Sequence, residues 1–286
     1  MFIFRAGATM NEMKNMSNPR SAGSFMADAI SRRLKERLDV APLIVAVSGI
    51  DASGKSTLAR RAAAELNARG VGAVVISGDD WHNPPEKRFS ASNPAEHFYQ
   101  NAFRFDELFR ILIQPLRRLR ELQVTIGLTR LPQNESFRKT YDFRGVDVVI
   151  LEGIFLLKRE FMGNYDLSFW VDCSFQTALA RALQRNQEGL SGGEIVRDYQ
   201  TIYFAAQKIH FAKDAPRENA DFVIANGAAT SPGSVRQRAA RVVELDAARR
   251  TTLVPARLAS LGLRAKELEQ FDAWRFASTE SGLECT

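Results

Sequence analysis

The sequence predicts an α/β protein with a central parallel sheet covered by helices on both faces. Short apolar runs alternate with helix-length segments along most of the chain, the rhythm of strand–helix–strand units. The apolar runs, such as Val146–Leu151, read as buried strands. A glycine-bearing loop, Gly49–Gly54, joins the first strand to the first helix of that rhythm.

The elements follow in order. Ser24–Leu38 carries Phe25, Ile30, Leu34 and Leu38 as an apolar stripe and is predicted helical. Leu43–Ser48 is the first strand, and Lys55–Ala68 the helix after the loop, stopped by Arg69-Gly70. Ala73–Ser77 is the next strand. The polar, proline-bearing stretch Gly78–Pro94 is not expected to form a regular core element. Phe105–Leu122 reads as a helix broken or restarted near Pro115. Strands at Val146–Leu151 and Leu167–Val171, helices at Thr177–Arg185 and Glu194–Phe211, and a last strand at Phe222–Ile224 complete the pattern. Ser231-Pro232-Gly233 marks a boundary, after which Val235–Arg250 and Ala265–Phe276 read as helices. The organisation expected is a leader and helix over 1–40, a main domain over 41–228 and a helical extension over 229–286.

Composition narrows the class of function. The 286 residues are 45% hydrophobic and 25% charged, values of a soluble globular protein. The net charge of +6 comes from 39 basic against 33 acidic residues. So mild an excess, with no basic run interleaved with aromatics, favours an anionic small ligand over nucleic acid. No apolar run reaches membrane-spanning length. Cys173 and Cys285 have neither metal-ligand spacing nor a disulfide framework, and a cytoplasmic protein is expected. A homo-oligomer is compatible with all of this.

Gly49-Ile50-Asp51-Ala52-Ser53-Gly54-Lys55-Ser56 followed by Thr57 is a complete Walker A motif. Its glycines let backbone N–H groups curl around phosphates, and the helix N-terminus adds unpaired donors and the positive end of its dipole. Lys55 is expected to reach the β- and γ-phosphates and Ser56 to hold Mg²⁺. The motif predicts ATP as ligand. It leaves two classes open: a kinase acting on a small-molecule substrate, and a nucleotide-binding regulatory ATPase with no metabolite acceptor.

Ligands of such sheets bind outside the carboxyl ends of the strands, and acids stand at two of those ends. Asp79 and Asp80 follow Val74–Ser77, and Glu152 follows Val148–Leu151. Asp79 is the candidate to orient or deprotonate an acceptor hydroxyl, with Asp80 in support and Glu152 on the metal. Arg181 and Arg185 share a helix face before the glycine-containing run Asn186–Gly193, which reads as a cover over the nucleotide. On such a cover they would neutralise charge on the transferring group. His82 is a candidate substrate contact.

In this ordered set, the segment 42–227 resembles the uridine kinase family, within the group that includes phosphoribulokinase, pantothenate kinase and nicotinamide riboside kinase. The likeness rests on the Walker A motif, on Asp79 in Ser77-Gly78-Asp79-Asp80-Trp81-His82, on Glu152-Gly153-Ile154, and on the arginine-bearing helix after Asp172. The resemblance implies a nucleoside-monophosphate-kinase-like fold and ATP–Mg²⁺ held by Ser56, Asp79 and Glu152. It also implies Asp79 as base and a ribose-like hydroxyl as acceptor, first of all that of uridine or cytidine. Two positions depart from the family pattern. Asn101 and Arg104 in Asn101-Ala102-Phe103-Arg104 stand where the family carries acids. If both line the acceptor cleft, the acceptor is expected to carry an anionic group.

Overall fold

The computed structural model describes residues 19–37, 41–130, 135–186, 189–227 and 235–237. By internal contact the chain divides into Met1–Ala239 and Ala240–Thr286, and all of the described residues belong to the first unit.

The main sheet contains β1 (Leu43–Gly49), β2 (Ala73–Ser77), β5 (Val148–Gly153), β6 (Leu167–Asp172), β7 (Phe222–Ala225) and β8 (Val235–Gln237), in the order β2-β5-β1-β6-β7-β8. All neighbours run parallel except β7 and β8. Every residue of β1 and β5 is buried, and successive side chains enter opposite layers. Val45, Val148 and Ile150 join one core, while Ile44, Val149 and Leu151 join another. This is why these strands read as continuous apolar runs rather than alternating ones.

The first layer is closed by helices α1 (Pro19–Lys35) and α2 (Lys55–Ala68), through Met26, Ile30, Ala59, Ala62 and Leu66. The helix predicted at 24–38 thus packs into the main core and is not separate from it. On the other face lie α3 (Pro94–Asn101) and α4. The latter is one helical run made of Phe105–Leu108, a π turn Phe109–Ile113 and Gln114–Leu119. Pro115, the expected break, stands in the first turn of the last segment. The wider π turn ahead of it absorbs the missing N–H, so the run continues.

A third cluster joins Trp170 of β6 to α5 (Phe175–Arg185) and α6, a run of Gly192–Asp198, a π turn Tyr199–Tyr203 and Phe204–Asp214. Three expectations are corrected. Residues 122–143 form an antiparallel hairpin, β3 (Leu122–Arg130) with β4 (Glu135–Phe143), in a region where no element beyond a helix ending at 122 was expected. Val235–Gln237 is a strand added to β7, where helix was predicted; the rest of that helix and the one at 265–276 lie outside the described residues. The stretch after β2 also joins the core. Gly78–Trp81 is a 3₁₀ turn, and Trp81 is fully buried.

Candidate active site

The loop after β1 sits at the point where the strand order reverses, since β5 and β6 flank β1 on either side. Open parallel sheets place their crevice there. Two glycines make the loop possible. A β-carbon on Gly49 would lie 2.6 Å from the Val171 carbonyl oxygen, and Gly54 adopts φ +98° with Asn226 pressed against it. Lys55, 7% exposed, donates to the Ile50 carbonyl at 2.9 Å, so its ammonium is folded over the loop backbone. Ser53 is buried, while Thr57 is exposed on the first turn of α2.

Three elements brace this loop from outside. Arg181 on α5 donates to the carbonyls of Ala52 and Ser53, each at 3.4 Å, and to that of Asn226 at 2.8 Å. Asn226, just past β7, donates to the Ser53 carbonyl at 2.6 Å. Tyr199, on the π turn of α6, donates to Asp51 Oδ2 at 2.7 Å, while Asp51 Oδ1 accepts from the Ala52 N–H. Sequence reasoning aimed Arg181 at the transferring phosphate; its guanidinium is instead engaged with the loop's carbonyls. Arg185, one turn on, is exposed and close enough to draw Asp79 toward its charged form. Beside the loop, Ala52, Gly54, Thr57, Arg61, Arg181 and Asn226 contribute to the lining of a cavity of about 270 Å³.

Of the two strand-end acids, Glu152 meets Ser56, and Asp79 lies close enough to Glu152 to raise its carboxyl. Glu152, 3% exposed, accepts from Ser56 Oγ at 2.9 Å and from Ser77 Oγ at 2.6 Å. Burial pushes its carboxyl above the ordinary range; the charge of Asp79 adds to this, while Lys55 and the two serines oppose it. Asp79 reaches cleft solvent, yet protein crowds its carboxyl closely. That desolvation raises it above the usual carboxylate range, against Lys55, with Asp51 and Asp80 adding to the rise and Arg185 opposing it. Two acids, of which Asp79 raises Glu152, together with a serine hydroxyl make an all-oxygen donor set of the kind Mg²⁺ takes. Among the described residues no group of three or more His, Cys, Asp or Glu could hold a metal by itself. An ion here would complete its shell with phosphate oxygens and water, the usual habit of Mg²⁺.

The acceptor-side candidates are already engaged with protein. Asp80 pairs with Lys139 of the hairpin. His82, 8% exposed, contacts the Asp79 carbonyl through Nδ1 at 2.6 Å. Burial, with Arg88 next, pushes its pKa down to about 4, so it is neutral at pH 7 and Nδ1–H is the donor. The Asn101 amide donates to the carbonyl of His97 on its own helix at 3.0 Å. Arg104 pairs with Glu107 at 3.1 Å and donates to the Gly127 carbonyl at 3.1 Å, with its guanidinium 5.6 Å from the Trp81 ring. The Asn101 amide N–H and the two terminal nitrogens of Arg104 are thus engaged with protein, while the buried Nε of Arg104 has no hydrogen-bond partner.

Sequence reasoning missed Lys139, Tyr199 and Arg88. For Lys139 a signal existed: Leu122, Val124, Ile126 and Leu128 alternate with polar residues, the mark of a half-buried strand. No local signal marks Tyr199 or Arg88, whose settings depend on distant elements.

A model of the phosphoribulokinase / uridine kinase family matches residues 44–208. The chain is 29% identical over 167 residues to the uridine-cytidine kinase A of Dictyostelium discoideum, a match covering 56% of this chain and 32% of that protein. It is 25% identical over 166 residues to a Staphylococcus aureus uridine kinase, covering 57% and 78% respectively. The chain thus spans about a third of the length of the first relative. Among solved structures, one described as a "possible uridine kinase" from Bacillus stearothermophilus superposes with TM-score 0.56 at 20% identity, over 70% of this chain and 97% of that one. The D-glycerate 3-kinase of Cryptococcus neoformans superposes with TM-score 0.55 at 12% identity, over 77% and 99%. These two likenesses establish the fold. Among the described residues, no helix is long and apolar enough to cross a membrane. The family model covers more than half of the chain and spans the Walker A loop, both strand-end acids and the braces Arg181 and Tyr199: the chain belongs to the phosphoribulokinase / uridine kinase family of P-loop kinases.

Proposed function

We propose that this protein transfers the γ-phosphoryl group of ATP to a hydroxyl of a small molecule, a nucleoside or other riboside. The observation that carries the reading is the convergence of Ser56, Glu152 and Asp79 beside the Walker A lysine. In the reaction the acceptor oxygen forms a bond to the γ-phosphorus. The bond from that phosphorus to the β–γ bridging oxygen breaks, its electron pair leaves with ADP, and the hydroxyl proton passes to Asp79. A carboxyl raised above its ordinary range is a better proton acceptor once ionised. Lys55 and Arg185 supply positive charge to the phosphate end. Ser56, Glu152 and Asp79 would hold Mg²⁺, which when bound neutralises phosphate charge and fixes its geometry.

The cavity bounded by Thr57, Arg61, Arg181 and Asn226 suits the nucleoside part of ATP, because it opens beside the phosphate loop. Uridine and cytidine are the first acceptors to try, given the named relatives. The test is an ATP-consumption screen over nucleosides, other ribosides, pantothenate and sugar phosphates. ADP formation that depends on one acceptor, with phosphorylated product recovered, is the expected result. Tight ATP binding with no acceptor-dependent turnover would instead favour a regulatory nucleotide-binding protein.

A further inference from the structure

The cavity beside the phosphate loop draws part of its wall from outside the segment matched to the family, which begins at residue 44 and ends at 208. Ala22 on α1 precedes that segment. Ile224, Ala225 and Asn226, at the end of β7 and just past it, follow it. All four line the cavity. The phosphate loop, α2 and Arg181 of α5 supply the rest.

α1 is held against two of these walls. A β-carbon on Gly23 would lie 2.9 Å from Cβ of Arg61, so the backbone of α1 rests directly on α2, at a residue that itself lines the cavity. Ser24 donates to Glu65 Oε1 at 2.6 Å, and Asp28 pairs with Arg69 at 2.6 Å. Phe25, on the same helix face as Ala22, meets Phe222 of β7 edge-on at 5.4 Å. Met26, Ala27 and Ile30 are fully buried. One helix thus ties α2 to β7 and adds its own Ala22, only 4% exposed, to the lining. The side chain there is a single methyl group, so its size bears on how much of the cavity stays open.

We infer that α1 is part of the nucleotide site: Ala22 and the end of β7 form the subsite for the nucleoside moiety of ATP, while Gly49–Thr57 serves the phosphates. This rests on the reading of the cavity given above and deepens it. Small apolar side chains with a few polar groups among them suit a flat heteroaromatic base and its ribose. Phosphate binding then belongs to the segment matched to the family, and acceptance of the nucleoside to segments on either side of it. A longer side chain at position 22 should cost affinity for ATP and leave affinity for a bare polyphosphate in place.

The test measures dissociation constants for ATP and for inorganic tripolyphosphate, each with Mg²⁺, by calorimetry in the parent, Ala22→Val and Ala22→Leu. The parent is expected to bind ATP more tightly than tripolyphosphate. Ala22→Leu should weaken ATP about 10- to 100-fold, the usual cost of added carbons in a filled site, and Ala22→Val less. Tripolyphosphate should change by no more than about twofold. Thermal melting shows whether each variant is folded, and Ala22→Val decides where Ala22→Leu is not. Hydrogen exchange in the parent needs no variant: ATP should protect the peptide over 22–30 more than tripolyphosphate does. A selective loss of ATP supports the subsite even where no acceptor turns over and the kinase reading fails. Equal weakening of both ligands, unchanged ATP affinity in a folded variant, or equal protection by the two ligands overturns the role of α1 and leaves the kinase reading intact. A parent that binds ATP no more tightly than tripolyphosphate overturns it too, and one that binds neither overturns both.

Discussion

The Walker A end of this cleft and the end proposed above for the acceptor are built on different principles. The phosphate end is contiguous: Gly49–Thr57 carries its glycines, lysine and serine in one run, and much of its chemistry is backbone N–H. Its outside contacts, from Arg181, Asn226 and Tyr199, hold the loop's shape. The acceptor end is assembled from separate stretches, 79–104 and 122–143, whose side chains answer one another: Asp80 to Lys139, Arg104 to the Gly127 carbonyl. A motif can specify the first kind of site. The second kind exists only once the chain is folded, and its specificity can change while the motif stays intact.

Substitutions at the two ends should therefore fail in different ways. The largest effect is expected at Lys55. Lys55→Ala removes the cation folded over the loop and should lower kcat/KM about 10³-fold, the order of one preorganised charge on the transferring group. A coupled ADP assay reads this directly, and near-parental turnover would break the site assignment. Asp79→Asn comes next. It should keep ATP affinity by calorimetry and lose roughly 10²-fold in phosphoryl transfer, the weight of a general base. Loss of nucleotide binding with residual turnover preserved would place Asp79 at the phosphate end alone.

His82 tests the acceptor wall through stability. In the unfolded chain it takes up a proton near pH 6.5, and in the fold only near pH 4. Its contribution is therefore present above pH 6.5 and lost as pH falls toward 4. Between pH 7 and 4.5 the parent should lose about 2 kcal/mol from this residue alone. His82→Gln keeps a donor for the Asp79 carbonyl and should lack that component in paired denaturant titrations. Identical pH dependence in both proteins would mean that His82 is not held neutral. The smallest effect is expected at Arg181. Arg181→Met removes the bonds to Ala52, Ser53 and Asn226 and should weaken ATP binding about tenfold, near 1.4 kcal/mol. A fall in kcat without weaker binding would return Arg181 to the transferring phosphate, where sequence reasoning had put it.

The same contrast explains what could be read from the chain beforehand. β1, α2, β2 and the Walker A loop were legible because local pattern and tertiary role agree there. Glu152 was legible because an acid after Val148–Leu151 interrupts a buried run. The hairpin at 122–143 went unread although its first strand alternates, since Gly127 and Pro132 look like breakers and helix was expected to reach 122. Pro115 misled in the opposite sense, because the π turn accommodates it. Asn101 and Arg104 were singled out as departures from a family pattern, yet only coordinates reveal that both are engaged with protein. Arg88 was invisible for a related reason: its burial against the Phe89 ring is set by the fold, which sequence cannot display.

One consequence of α6 concerns angular phase. This single helix bonds Asp51 through Tyr199, meets the Phe98 ring edge-on through Tyr203, and grips α3 where His210 and Tyr99 share Asp214. Between its two ends lies the π turn Tyr199–Tyr203, which carries one residue more than an α-helical turn would. Each residue rotates a helix by about 100°. The extra residue therefore clocks the His210 end against the Tyr199 end, as the offset between two cams on one shaft. Excising a residue from this turn would leave every contact residue present and put its grip on the phosphate loop out of time with its grip on α3.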